Sequence, residues 1–338
     1  MKVLVTGHEG YIGSVLAPML RAAGHHVVGV DSGFFREAGD GQADLPRKDV
    51  RDLTVSDLAG CQAVVHLAAL SNDPMGNLQP ELTYAINYQA SLQLAELAKA
   101  AGVQRYLFSS SCSVYGLASA DEFATEESPL NPLTPYAISK VRTEEDVAKL
   151  ASEAFSPVFL RNATVYGWSP RFRSDLVLNN LAGWAFTTQE IRILSDGTPW
   201  RPIAHVQDIA RAFLAMLEAP RAAIHNQVFN IGANAHNYQV SRLAEIVQQT
   251  FPDCHVHYAE GGAPDPRSYR VDFSKLARLV PEYRPAWNAP RGAEELLGAY
   301  RGTQLTLEDF NGPRYVRLAQ LKQLVQSGAL DETLRWRN

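Results

Sequence analysis

The stretch Thr6-Gly7-His8-Glu9-Gly10-Tyr11-Ile12-Gly13 joins an apolar run, Lys2–Thr6, to a segment with helical spacing, Tyr11–Ala23. A strand that turns through three glycines into a helix needs backbone space at three points. Gly7 allows the tight turn, Gly10 lets the backbone approach a pyrophosphate, and Gly13 lets the helix pack closely on the strand. The helix N-terminus then presents N–H groups to the phosphates. Asp31 closes the next apolar run, His26–Asp31, 18 residues past Gly13. A carboxylate there accepts from a ribose diol and repels a 2′-phosphate, which favours NAD over NADP. An Asp after a strand also serves as a turn cap, and the nearby Arg36 leaves NADP open. Asp49, in Lys48-Asp49-Val50-Arg51, can reach an adenine or stand as a solvated loop carboxylate.

Further apolar runs follow at Ala63–Ala68, Arg105–Ser111 and Pro157–Arg161, separated by helical segments at Pro80–Ala101 and Pro135–Ala151. Continuous apolar strands alternating with helices predict an α/β fold: a Rossmann-type, doubly wound parallel sheet covered on both faces. At 338 residues one core is outgrown, so a smaller α/β lobe is expected beside it. The dinucleotide lobe takes residues 1–165 with a return segment near 202–233, and the substrate lobe takes 166–201 and 234–338. In the second half Ala204–Ala219 and Val240–Thr250 read as helices and Val228–Ile231 as a strand. Val165–Arg173 and Ala259–Arg270 read as loops. The tail from Leu305 sets Leu318, Leu321, Leu324 and Val325 at helical spacing, and packing on the second lobe is expected of it.

Tyr136 and Lys140 open the segment Pro135–Ala151 and share one helical face at i, i+4. A phenol is a poor base at neutral pH, but a neighbouring ammonium favours the phenolate, and an oxidised nicotinamide adds a second positive charge. Ser111, ending the run Arg105–Ser111, can hold the reacting oxygen. The set makes a proton relay for alcohol–ketone chemistry. A lone Tyr/Lys pair or serine run carries little information; the ordered set of glycine loop, acid, serine strand and Tyr/Lys pair carries much more.

Composition removes other classes. A formal charge of −5 argues against nucleic acid or an anionic membrane as the main partner. Cys61, Cys112 and Cys254 lack CxxC spacing, which fits a reducing compartment and offers neither a disulfide framework nor a metal site. No apolar stretch approaches a membrane span, and the N-terminus turns glycine-rich too early for a signal peptide. A cytoplasmic location is therefore expected.

Together TGxxGYIG, the HLAA stretch His66–Ala69, SSSxSVYG, PYxxSK and Arg201-Pro-Ile-Ala-His205-Val-Gln-Asp208 resemble the extended short-chain dehydrogenase/reductase family, in its sugar-nucleotide epimerase/dehydratase branch. The resemblance covers all but the last thirty or so residues. It implies that Gly7, Gly10, Tyr11, Ile12 and Gly13 line the pyrophosphate of NAD and Asp31 its adenosine ribose. Asp49 and Val50 would flank the adenine, with Leu67, Ala68 and Ala69 along the cofactor and Asn87 placing the central helix. Ser111, Tyr136 and Lys140 would be catalytic, the last two also touching the cofactor. A nucleotide-diphosphate sugar would meet Ser113, Thr164, Asn180 or its neighbour Asn179, Arg201 and Arg267; guanidinium forks suit a diphosphate. In the family two helices pair across a two-fold axis, so a homodimer through Pro80–Ala101 and Pro135–Ala151 is implied.

Departures from the family patterns narrow the reaction. Dehydratases of the branch carry an Asp-Glu pair after the catalytic hydroxyl, where this chain has Cys112 and Ser113. The Glu of the decarboxylases is also missing. The Cys of the 3,5-epimerases is replaced by Ser113, and Cys112, one residue early, faces the other way in a strand. What remains is hydride transfer at a sugar carbinol: a 4-epimerase, or a 4-keto-sugar reductase or dehydrogenase. The atypical segment Asn162–Arg173, with Arg171 and Arg173, keeps those readings close, and a non-catalytic NAD sensor is a further alternative.

Overall fold

The computed structural model describes residues 1–36, 46–71, 79–116, 122–259 and 268–337. The first half holds β1 (Lys2–Thr6), α1 (Gly13–Ala22), β2 (His26–Val30), β3 (Ala63–His66), α2 (residues 80–100), β4 (Arg105–Ser111), β5 (Phe123–Ala124), α3 (Pro135–Ala148) and β6 (Ser156–Asn162). Then come β7 (Thr164–Tyr166), α4 (Val177–Thr188), β8 (Glu190–Ile193), β9 (Trp200–His205), α5 (Val206–Glu218), α6 (Arg221–Ile224) and β10 (Gln227–Ile231). The remainder is β11 (Asn237–Gln239), α7 (Val240–Thr250), β12 (His255–Tyr258), β13 (Arg270–Val271), α8 (Ser274–Leu279), α9 (Ala289–Thr303), α10 (Leu307–Asn311) and α11 (Arg317–Gln326).

Six parallel strands form the main sheet in the order β2-β1-β3-β4-β6-β10. Beyond β2, the amide of Lys48 donates to the carbonyl of Asp31, so residues 46–49 border the sheet's edge. Alternation within β1 shows why its whole run is apolar. Val3 and Val5 enter one core with Leu16 and Phe213, while Leu4 enters the other with Leu94 and Phe108. From β1 the chain passes to β2 on one side and later to β3 on the other. This reversal opens a crevice at the strands' C-terminal ends, where such sheets bind ligands.

The helix spanning 80–100 contains one π turn, Ala85–Gln89. The widened turn exposes the carbonyl of Asn87, which accepts from Ser91 Oγ at 2.8 Å and Thr143 Oγ1 at 3.2 Å, tying α2 to α3. The smaller lobe is built from the sheet β11-β9-β7, the pair β12-β8 and helices α4, α7 and α9. Its core gathers Tyr166, Leu181, Leu243, Leu296 and Phe310.

Three expectations need correction. The stretch beginning at Ala204 is strand before it is helix: His205 is extended, and its ring Nδ1 accepts from the amide of Gln207, so α5 starts at Val206. Thr164–Tyr166 is not loop but pairs with β9. The tail does not rest on the second lobe alone. Leu321, Leu330 and Leu334 join Val30, Phe34, Val50 and Leu58 in the core of the first lobe. Leu330 is fully buried there. Leu330→Ala is therefore expected to lower unfolding stability by about 2–5 kcal/mol, measured by urea titration; an unchanged midpoint would contradict the packing.

Candidate active site

The glycine loop is shaped by what its residues lack. A Cβ on Gly13 would lie 2.1 Å from the carbonyl oxygen of Gly7, and one on Gly7, at φ +70°, would lie 2.8 Å from the amide of Ala68. Without these atoms α1 starts directly behind β1. The amides of Tyr11 and Ile12 make no hydrogen bond among the described residues, and both residues line a cavity of about 950 Å³. Free amides at a helix start suit a diphosphate. The side chain of Tyr11 turns away: its hydroxyl donates to the carbonyl of Gly167 at 2.6 Å and accepts from Asn179 at 3.2 Å. Burial pushes its phenol well above the ordinary value, so it stays neutral.

Asp31 lines the same cavity. Its carboxylate accepts the amides of Glu9 at 3.0 Å and Gly33 at 2.9 Å. Burial raises its pKa, opposed by those two bonds. Arg36 forms a bidentate pair with buried Glu9, at 2.7 and 2.8 Å. The arginine that left NADP open thus faces a carboxylate, and a second carboxylate stands at Asp31. Asp49 is the cap of a short 3-10 turn, held by the amide and guanidinium of Arg51, which draws its pKa down. Asp49 and Val50 line the cavity beyond Asp31, and Leu67, Ala68 and Ala69 line its floor.

The reactive end is set by β4 and α3. Thr134 caps α3 by accepting the amide of Ala137, and Pro135 occupies the first turn, so the helix starts one residue before Tyr136. Lys140 Nζ lies 5.5 Å from the centre of the Tyr136 ring and donates to the carbonyl of Ser109 at 2.7 Å. Lys140 is buried, and burial pushes its pKa down to about 7 against a partial counter-effect from Glu144. Ser111, Ser113, Tyr136 and Lys140 all line the cavity. Ser111 Oγ accepts the amide of Ser113 at 3.2 Å. Ser113 Oγ and Asn162 Oδ1 are buried without a partner. Both residues line the same end.

Behind this wall a buried chain runs from Ser110 to Glu144, from Glu144 to Arg161 at 2.6 Å, and from Arg161 through the Tyr115 hydroxyl to Asn230. Cys112 belongs to that packed side: its thiol donates to the carbonyl of Arg161, and burial pushes its pKa up. It does not line the cavity. His66 bridges Thr6 and Ser91 at 2.6 and 2.7 Å, and burial lowers its pKa to about 3, so it is neutral.

Thr164, Asn180 and Arg201 line the cavity's far part with Arg192, Leu194 and Tyr269. Two of the named residues stand outside the lining. Asn179 is fully buried, joining Gly167, Tyr11 and the carbonyl of Arg173, so it links the lobes instead of facing a ligand. Asn87 is likewise buried and acts through Leu70, whose amide and carbonyl it holds at 2.8 and 3.0 Å. Arg267 lies outside the described residues. Of the two arginines that stand out in the atypical segment, Arg173 lines the cavity, paired with Asp175, and Arg171 does not; sequence reading missed Arg317, which also lines it. Among the described residues no cluster of His, Cys, Asp or Glu could hold a metal ion, and no helix is long and apolar enough to cross a membrane.

Residues 3–232 match the family model for the NAD dependent epimerase/dehydratase family. The chain belongs to that family. It is an enzyme, its cofactor is NAD, and its reaction class is NAD-dependent modification of a sugar nucleotide. A family member from Corynebacterium glutamicum, a UDP-glucose 4-epimerase, is 31% identical over 74% of this chain and 80% of its own length. The structure of MoeE5 with UDP-glucuronic acid and NAD superposes with a TM-score of 0.76 at 29% identity, covering 89% of this chain and all of that one. TunA, an NAD-dependent NDP-hexosamine 5,6-dehydratase, gives 0.77 at 28% identity over 89% and 98%. The glycine cradle and its free amides fit the dinucleotide that the family uses.

Burying the Lys140 ammonium has a thermodynamic signature. Its pKa is about 7 when folded and 10.5 ordinarily, so between these values the unfolded chain holds more protons. Stability contributed at this site therefore rises from pH 7 to 10.5. In nucleotide-free protein, Lys140→Met should melt above wild type by roughly 2 °C or more at pH 7, and the gap should narrow as the pH rises. Differential scanning calorimetry across that range checks it; a variant that melts lower throughout would refute it.

Proposed function

We propose that this enzyme is a 4-epimerase of nucleotide-diphosphate sugars, interconverting the configuration at the sugar C4. One observation carries the reading: the cavity wall beside Ser111 offers hydroxyls, with no acid–base pair among the described residues. Cys112 is turned into the core, and Ser113 supplies a hydroxyl. The described cavity carboxylates are committed elsewhere, Asp31 and Asp49 at the adenosine end and Asp175 to Arg173. Elimination of water needs a second proton-transfer partner, whereas moving a hydride out and back needs one.

When bound, NAD supplies the hydride acceptor and then the hydride donor at C4. Tyr136, as phenolate beside the Lys140 ammonium, would take the proton of the C4 hydroxyl. Ser111 holds the reacting oxygen. Once the 4-keto sugar has presented its other face, Tyr136 would give the proton back to O4. Atoms and electrons balance with no net oxidation. Arg201, Thr164 and Asn180 hold the nucleotide diphosphate, with Ser113 beside the sugar. UDP-glucose and UDP-glucuronate are the first candidates, given the sugars named for the relatives.

Incubation with each sugar, without added reductant, should interconvert C4 epimers while NADH absorbance stays flat. Deuterium at C4 should be retained in the product. Label washed into water, or stoichiometric consumption of NADH, would replace this reading, the latter by a 4-keto-sugar reductase. Tyr136→Phe should lower kcat by about 10²–10⁴ while leaving bound NAD in place.

A further inference from the structure

Arg317 is 5% exposed, and its guanidinium has no carboxylate at ion-pairing distance among the described residues. Its one hydrogen bond goes to the carbonyl of Arg171 at 2.8 Å, and its Cζ lies 4.0 Å above the Phe35 ring. The side chain lines the cavity that also holds Gly10–Gly13 and Asp31. A buried cation without a paired counter-ion is strongly disfavoured; Asp175 and Asp31 act on it only from beyond ion-pairing distance, and Asp175 is already paired with Arg173. Burial and the nearby Arg173 push its pKa down to about 9, so it remains charged at neutral pH.

The tail that carries Arg317 is fastened to the adenosine end. Gln320 donates to the carbonyl of Phe34, Trp336 Nε1 to the carbonyl of Ser32 at 2.7 Å, and Arg51 to the carbonyls of Thr333 and Leu334. Arg335 pairs with Asp52. These contacts hold the tail to both loops flanking the cavity, residues 31–36 and 46–52. Of the groups in NAD that neighbour the Asp31 end, the diphosphate is the anion. Asp31 and the Glu9–Arg36 pair already make a 2′-phosphate unfavourable there.

We propose that Arg317, carried on a C-terminal helix beyond the family-matched region, is a ligand of the NAD diphosphate, so that the tail completes the cofactor site. The family match ends at residue 232, and the sequence motifs give Arg317 no role.

Titration calorimetry on nucleotide-stripped, full-length protein tests this with NAD, ADP-ribose and adenosine as separate probes. Arg317→Gln should weaken NAD and ADP-ribose by about tenfold or more and leave adenosine unchanged; Arg317→Lys should recover part of the loss. NAD affinity within twofold of wild type would overturn the proposal. So would an equal loss for adenosine, which would mean that Arg317 shapes the adenosine loops without touching phosphate. Fluorescence of the Trp336 region in the same samples reports whether the tail stays docked, and an undocked tail with unaltered ADP-ribose binding would also overturn it.

Discussion

The contact between Gly13 and the carbonyl of Gly7 governs the molecule, because no larger residue leaves room for it. It lets α1 begin within a turn of β1 and keeps the amides of Tyr11 and Ile12 free. From that point the loop becomes a junction. Tyr11 runs through Gly167 and Asn179 into the smaller lobe, and Ser169 Oγ donates to the carbonyl of Tyr11 at 2.7 Å. The phosphate-facing backbone and the lobe interface are therefore two sides of one structure. A shift in either would be felt in the other.

The reactive end depends on a second constraint, the buried chain of Ser110, Glu144, Arg161, Tyr115 and Asn230. It crosses from β4 through α3 to β6 and β10. Removing one partner of such a buried pair costs about 3–5 kcal/mol, because the other charge is stranded. Glu144 lies one helical turn past Lys140 and partly offsets the cost of burying that ammonium. The catalytic face of α3 is thus held from behind by charges that never meet a ligand.

How much of this could be read in the sequence follows from distance along the chain. The glycine loop, Asp31, Ser111 and the Tyr136/Lys140 pair are written in local spacing, since strand and helix periods alone place them. The Asn179–Tyr11 bond spans 168 residues and the Trp336–Ser32 bond 304, and no local pattern announces either. Two adjacent asparagines, Asn179 and Asn180, were equivalent on paper. The 100° step of the helix turns one into the lobe junction and the other to the cavity. Arg317 was silent for a different reason: an arginine at a helix start is ordinarily a solvated residue, and only its burial distinguishes it. His205 misled because a strand running straight into a helix leaves no loop residue between them to mark the boundary.

The tail's attachment also orders events in time. The loops at residues 31–36 and 46–52 are made first, and their partners Gln320, Thr333, Leu334 and Trp336 follow at least 282 residues later. Until that segment exists the adenosine end lacks these partners, whereas the glycine loop and the sheet draw on residues 2–231. Closing it requires residues 320–336 to reach back to the start of the sheet. Assembly of this site therefore joins segments separated by 282 to 304 residues.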